Sequence, residues 1–152
     1  MNVYLLDTDI VSYLWDARSS YHQKIVTRLR RLKDDDVVAV SVITIYELTY
    51  AVESFADHDL GKKFENALMA LKNDPDTHIF PLDAGGALFF SQLKHKYKTK
   101  TGIKSREAKK NDLDLFIASI AMDQDAVLVS NDAIFKTLSR IEPDFKWENW
   151  TE

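Results

Sequence analysis

Short, mostly apolar runs recur along this chain between longer segments of helical periodicity, and that alternation limits it to one class of fold. The runs are Asn2 to Leu6, Val37 to Val40, His78 to Pro81 and Ala126 to Val129. The second is continuous and β-branched, the pattern of a strand covered on both faces. Between the runs, apolar residues fall three and four apart. Ile10, Val11, Leu14 and Trp15 mark a helix from Asp9 to Trp15. Ile25, Leu29 and Leu32 mark another from Tyr21 to Leu32, ending at the acidic stop Asp34-Asp35-Asp36. Ile43 to Phe55 and Leu60 to Leu71 read as two more, split at Asp57 to Gly61. Asp83 is placed to N-cap a helix reaching about Lys98, and a polar, basic loop containing Gly102 follows it. Helices are predicted over Asp112 to Asp123 and Asp132 to Leu138, and the tail Phe145 to Trp150 is predicted to be a final edge strand. Strands alternating with amphipathic helices give an α/β fold with a mainly parallel sheet flanked by helices. With 152 residues and no repeat or linker, one domain spanning 1–152 is expected.

Composition removes several function classes. Hydrophobic residues make up 45% and charged residues 29%, the balance of a globular protein. No uncharged stretch is longer than Val37 to Tyr46, about half of what a membrane span needs. No secretion signal is read at the N-terminus, so a cytoplasmic protein without a membrane partner is expected. There is no cysteine, which excludes disulfides and thiolate chemistry, and the four histidines are scattered without zinc spacing. The net charge of −4 hides an asymmetry. Residues 94–110 carry eight Lys and Arg against the single acid Glu107. Removing these from the chain's 20 basic and 24 acidic residues leaves 12 against 23, a net of −11. An acidic body therefore carries one basic segment.

The acids themselves fall in a suggestive place. In an open parallel sheet, ligands bind beyond the carboxyl ends of the strands. Asp7 closes the first strand, Asp9 begins the next helix, and Glu47 lies early in the helix after Val37–Val40. Asp114 sits in the first turn of its helix, and Asp132 comes just after the Ala126–Val129 strand. Acids far apart in sequence can thus share one edge. Such a cluster raises the pKa of its own members unless a cation is present, and a hard divalent ion removes that cost. The plain alternative is that Asp9, Asp112, Asp114 and Asp132 only cap helices. Asp7 and Glu47, set among apolar neighbours, fit that alternative less well.

The arrangement resembles the PIN-domain family, and the VapC-type toxins of bacterial toxin–antitoxin pairs in particular. Leu5-Leu6-Asp7-Thr8-Asp9 is similar to the family's first motif, and Ser41-Val42-Ile43-Thr44-Ile45-Tyr46-Glu47-Leu48 to its second. Asp114-Leu115-Phe116-Ile117-Ala118-Ser119 resembles the third, Leu128-Val129-Ser130-Asn131-Asp132 the fourth, and Glu148-Asn149-Trp150 the usual ending. The resemblance implies a five-stranded parallel sheet and a metal site built by Asp7, Glu47, Asp114 and Asp132. Thr8 and Ser130 would be the family's small hydroxyl residues, positioning the acids or a metal-bound water. It further implies RNA cleavage by water activated on Mg²⁺ or Mn²⁺, a homodimer, and a small antitoxin covering the site. Two departures stand out: Ile134 replaces an acid common before the Phe, and Asp112 offers a competing carboxylate two residues before Asp114.

The basic segment is expected to hold RNA phosphates beside the acids, through Lys98, Lys100, Lys104 and Arg106. Tyr46, Tyr50, Phe55, Phe64 and Leu68 suit either a partner surface or ordinary core packing, and core is the expectation for most of them. Trp147 and Trp150 are expected in the core or at the sheet edge. Two rival functions exist. Asp7-Thr8-Asp9 after a strand also resembles phosphatases of the haloacid-dehalogenase group, with Asp7 as nucleophile, but Glu47 then has no role. The other rival is a degenerate PIN domain that only binds RNA or protein, against which the intact acids argue.

Overall fold

The computed structural model describes residues 1–152. In chain order the strands are β1 (Val3–Leu6), β2 (Val37–Ser41), β3 (His78–Phe80), β4 (Val127–Val129) and β5 (Trp147–Glu148). The helices are α1 (Thr8–Trp15), α2 (His22–Arg30), α3 (Val42–Ser54), α4 (His58–Asn73), α5 (Ala87–Thr101), α6 (Ser105–Ala108), α7 (Asp112–Asp123) and α8 (Ala133–Ile141). All strand pairs are parallel, in the order β3-β2-β1-β4-β5. The expected mainly parallel sheet is wholly parallel, and the tail strand is its edge.

Register explains why the strands read as unbroken apolar runs. Leu5 pairs with Ala39 and Leu128, and Leu6 pairs with Val40 and Val129. Successive side chains point to opposite faces. One face therefore presents Leu5, Ala39 and Leu128 to Leu93 of α5, to Leu115, Ala118 and Ile120 of α7, and to Ile134, Phe135 and Leu138 of α8. The other presents Leu6, Val40 and Val129 to Ile10 of α1, Ile25 of α2, Leu48 of α3, Phe64 and Leu68 of α4, and Trp150 of the tail. Two apolar cores thus grip one sheet between helical layers.

Five local expectations change. α1 begins one residue earlier than predicted, because Asp7 is its N-cap: its backbone is extended, and its carboxylate accepts from the Thr8 amide at 2.8 Å. Asp83 caps a single 3-10 turn, Ala84–Gly86, which leads into α5. The basic loop after α5 is partly helical, containing α6 and a 3-10 turn at Lys109–Asn111. Asp112 is the first residue of α7 rather than its cap; Asn111 is the cap residue, without a side-chain bond. α5 runs three residues past Lys98, and Gly102, expected in the loop, is its C-cap. Its φ of 66° is left-handed, and its amide closes onto the Lys98 carbonyl.

Candidate active site

Because every strand runs the same way, the carboxyl ends of β1, β2 and β4 meet at one edge. Asp7 directly follows β1 and is buried, and its backbone amide donates to the Val129 carbonyl at 2.9 Å. Its Oδ2 accepts from the buried Ser130 hydroxyl at 2.8 Å. The same Ser130 oxygen accepts from the Asp132 amide at 3.0 Å, so one hydroxyl fixes both the acid and the loop after β4. Across the β1–β2 side, the Thr8 hydroxyl donates to Glu47 Oε1 at 2.6 Å and lies 3.1 Å from Thr44 Oγ1. Glu47 is thereby tied to the turn that carries Asp7.

Asp132 has two roles. Its Oδ1 accepts from the Ile134 amide at 3.0 Å, capping α8, and its charge also reaches Asp9 and Asp114. Ile134 packs into the core, so the residue two after Asp132 adds no carboxylate to this edge. Asp112 and Asp114, two residues apart, face different surroundings, as helical geometry requires. Asp112 is ion-paired with Lys94 at 2.8 Å. Asp114 has no such partner and feels the charges of Asp132, Glu47 and Asp9.

The electrostatics are set by this crowding. Burial, then the Asp9 charge, pushes Asp7 up to about 7, against the opposing bonds from Ser130 and Thr8. Burial first, then Asp132, Glu47 and Asp9, pushes Asp114 up to about 6. Asp9 is also raised, chiefly by burial, although the Asn131 and Ile10 amides lower it. None of the five acids is ion-paired to a basic side chain. The donor set is all oxygen, which suits a hard divalent cation. No three acidic or histidine side chains are drawn close enough to enclose an ion by themselves. Mg²⁺ fits such a site because it keeps several waters and takes only one or two carboxylates directly.

The structure therefore gathers Asp7, Thr8, Glu47, Asp114, Ser130 and Asp132 at one edge. It also ties in Asp9, which the sequence places at the same edge but which the resemblance leaves out of the metal set. Asp9 Oδ2 accepts from the Asn131 amide at 2.9 Å, a contact spanning 122 residues. Only the close spacing of Asp7, Thr8 and Asp9 hints at it.

Beside Glu47 lies an apolar groove of about 810 Å³, lined by Tyr46, Tyr50, Leu82, Leu113 and Phe116 among others. Tyr46 and Tyr50 are each 75% exposed, whereas Phe64 and Leu68 are core residues and Phe55 is half-buried. Core packing thus holds for part of that set and fails for the two tyrosines. Trp150 is buried and Trp147 is partly so, its indole donating to the Ser130 carbonyl at 3.1 Å. In the basic segment, Lys94 and Lys96 are spent on Asp112 and Glu142, while Lys98 donates to Ser105 at 2.8 Å. Lys100, Lys104 and Arg106 are exposed and unpaired. No helix is long and apolar enough to cross a membrane.

A profile of the PIN-domain family matches residues 4–141. No curated protein matches the sequence. Among solved structures, the chain is similar to VapBC2 from Rickettsia felis bound to a DNA fragment from their promoter, with TM-score 0.72 and 25% identity, covering 97% of this chain and 98% of that one. It is similar to VapBC-1 from nontypeable Haemophilus influenzae, with TM-score 0.70 and 23% identity over 99% of each chain. A third, VapBC-5 from Mycobacterium tuberculosis, a member of the VapBC family of toxin-antitoxin systems, gives TM-score 0.64 and 21% identity over 98% of each. At these identities the last two likenesses speak for the fold.

Proposed function

The chain belongs to the PIN-domain family, and from that premise we propose that it is a metal-dependent endoribonuclease, the toxin of a toxin–antitoxin pair. One observation carries the reading: five carboxylates share one edge of the sheet, two of them with strongly raised pKa, and no basic side chain of the protein neutralises them. Asp7, Glu47, Asp114 and Asp132 would hold Mg²⁺ or Mn²⁺, one or two of them directly and the others through its retained waters. When bound, such an ion activates water and offsets the charge that develops on a phosphodiester. The protein's own groups do the positioning. Ser130 turns Asp7, Thr8 turns Glu47, and Lys98, Lys100, Lys104 and Arg106 bring positive charge to the phosphates of an RNA that the acidic body would otherwise repel. Glu47 has a partner in the site, which the phosphatase reading does not provide.

The antitoxin is proposed from the resemblance of the motifs to VapC-type toxins, from the likeness to VapBC2 and from the groove. Tyr46, Tyr50, Leu82 and Leu113 give a protein partner an apolar seat against Glu47, so docking and inhibition coincide. A homodimer belongs to the same reading, and light scattering of the purified protein tests it.

The decisive experiment is cleavage of a single-stranded or structured RNA by the purified protein. Activity should stop with EDTA and return with Mg²⁺ or Mn²⁺. Undiminished cleavage in chelator would sink the metal mechanism, and an aspartyl-phosphate trapped on Asp7 would favour the phosphatase.

A further inference from the structure

The residues after β5 do more than close the sheet. The Ser130 amide donates to the Glu148 carbonyl at 3.1 Å, and the Ser130 carbonyl accepts from the Trp147 indole. The Asn131 side-chain oxygen accepts from Asn149 Nδ2 at 3.0 Å and from the Thr151 hydroxyl at 3.1 Å. Thr151 also reaches Asn149 Oδ1, through its hydroxyl at 2.8 Å and its amide at 3.0 Å. Its single hydroxyl proton is thus shared between two amide oxygens. On its inner side, Asn131 gives its backbone amide to Asp9, and Ser130 gives its hydroxyl to Asp7.

We propose that Asn149 and Thr151 are positioning residues for the acidic site, clamping Asn131 so that the Ser130–Asn131 turn keeps its donors on Asp7 and Asp9. This rests on the nuclease reading for its consequence, though not for its geometry. The anchor and the clamp are separate side chains. Trp150 is buried in the core and stacks at a tilt against Tyr4, 5.4 Å between ring centres, which holds the tail down whatever its neighbours are. Thr151 is buried too, yet its hydroxyl bonds only to the amides of Asn131 and Asn149. A buried polar group is costly unless bonded, so breaking this set is unfavourable, and keeping it intact orients the turn. Groups that orient ligand carboxylates typically change metal affinity or activity 10–100-fold when removed. A clamp one step further out should sit near the lower end.

The test compares Thr151→Val, which keeps shape but not the hydroxyl, with Thr151→Ser, which keeps the hydroxyl. Asn149→Ala, at a more open position, covers the case in which Thr151→Val fails to fold. Three quantities are read in the full chain: amide hydrogen exchange at Asn131 relative to Leu128 in the core, Mn²⁺ affinity by titration, and RNA cleavage. Thr151→Val and Asn149→Ala should speed exchange at Asn131 about tenfold with Leu128 protected, and weaken Mn²⁺ binding and cleavage about tenfold. Thr151→Ser should restore all three. Unchanged exchange at Asn131 overturns the clamp, as does faster exchange with wild-type Mn²⁺ affinity and cleavage. A wild-type protein that neither binds Mn²⁺ nor cuts RNA would sink the nuclease reading alone, and the clamp would then stand or fall on the exchange rates.

Discussion

Asp7 and Glu142 are both buried carboxylates, each 7% exposed, at opposite ends of the same sheet. Glu142, at the end of α8 by the amino end of β4, is ion-paired with Lys96, and that bond holds its carboxyl below the ordinary range. Asp7, at the carboxyl end of β1, lies deeper and faces Asp9 and Glu47 instead of a base, and it rises to about 7. Depth and partner both differ, and they act in the same direction. At the closed end, charge is balanced within the chain. At the open end, acids are held together without a base, a cost that protonation or the proposed cation would offset.

Substitution should separate the two ends most sharply in activity. Asp7→Asn and Asp114→Asn are expected to lower RNA cleavage at least about a hundredfold with the fold retained, since each removes a charge while keeping shape. Glu142→Gln should leave cleavage near wild type. Within α7 the contrast repeats over two residues: Asp112 already belongs to Lys94, so Asp112→Asn should keep most activity. Single-turnover cleavage by these four variants is the measurement. A dead Asp112→Asn beside an active Asp114→Asn would place the third motif two residues too late.

Stability should also depend on pH in opposite senses at the two ends. For Asp7 and Asp114 the folded-state pKa lies above the unfolded value of 3.8, at about 7 and about 6. Their contribution is full below pH 4 and is lost as pH rises through 6 and 7. For Asp7 alone this amounts to at most about 4 kcal/mol, at 1.4 kcal/mol per pKa unit. Metal-free protein should therefore lose stability between pH 5 and 8, and Mn²⁺ should restore it more at pH 8 than at pH 5. Asp7→Asn should flatten the loss. Denaturant midpoints at the two pH values check this, and a metal-free protein equally stable at both would contradict the account of the open end.

Glu142 lies on the other side of that comparison. Its lowered pKa adds stability above the unfolded value, which is lost as pH falls through the folded one. Glu142→Gln should cost about 1–2 kcal/mol at pH 7, less than a fully buried pair because Lys96 is partly exposed. Thermal unfolding of the variant reads it, and a cost of zero would make the pair ornamental.

The two ends are also unequally legible in the sequence. β1, β2 and β4 can be read because strands covered on both faces leave unbroken apolar runs, and α7 because Leu115, Ala118 and Ala121 keep a helical stripe. Asp7, Glu47, Asp114 and Asp132 can be placed at one edge because a parallel sheet turns all its strand ends, and the helix starts beyond them, to the same side. α6 cannot be read, since it has four residues and buries only Ala108. Whether Asp7 or Asp9 caps α1 depends on the backbone at Asp7, which local propensity does not decide. Asp9 on Asn131, and Asn131 under Asn149 and Thr151, are contacts between distant segments that leave no local periodicity.

The smallest expected effect concerns the basic segment, where the same division between spent and free charge applies. Eight Lys and Arg between 94 and 110 invite the conclusion that all of them meet RNA. The structure divides the six from Lys94 to Arg106. Lys94 and Lys96 neutralise Asp112 and Glu142, so moving either toward a phosphate would strand a partly buried acid. Lys98 bonds only a serine hydroxyl and keeps its charge free, and Lys100, Lys104 and Arg106 are open to solvent. Counterion release counts only charges that neutralise phosphates, at a log–log salt slope of roughly 0.7 per contact for single strands. Replacing Lys98, Lys100 and Lys104 with Gln should flatten the slope by up to about 2 and weaken binding at low salt, and Arg106→Gln should add about 0.7 more. Replacing Lys94 and Lys96 with Gln should lower stability but leave the slope unchanged. RNA binding at several salt concentrations, under EDTA so that nothing is cut, measures both. If the second pair changes the slope and the first set does not, RNA lies along the Lys94 face of α5, and the open lysines face solvent or the antitoxin.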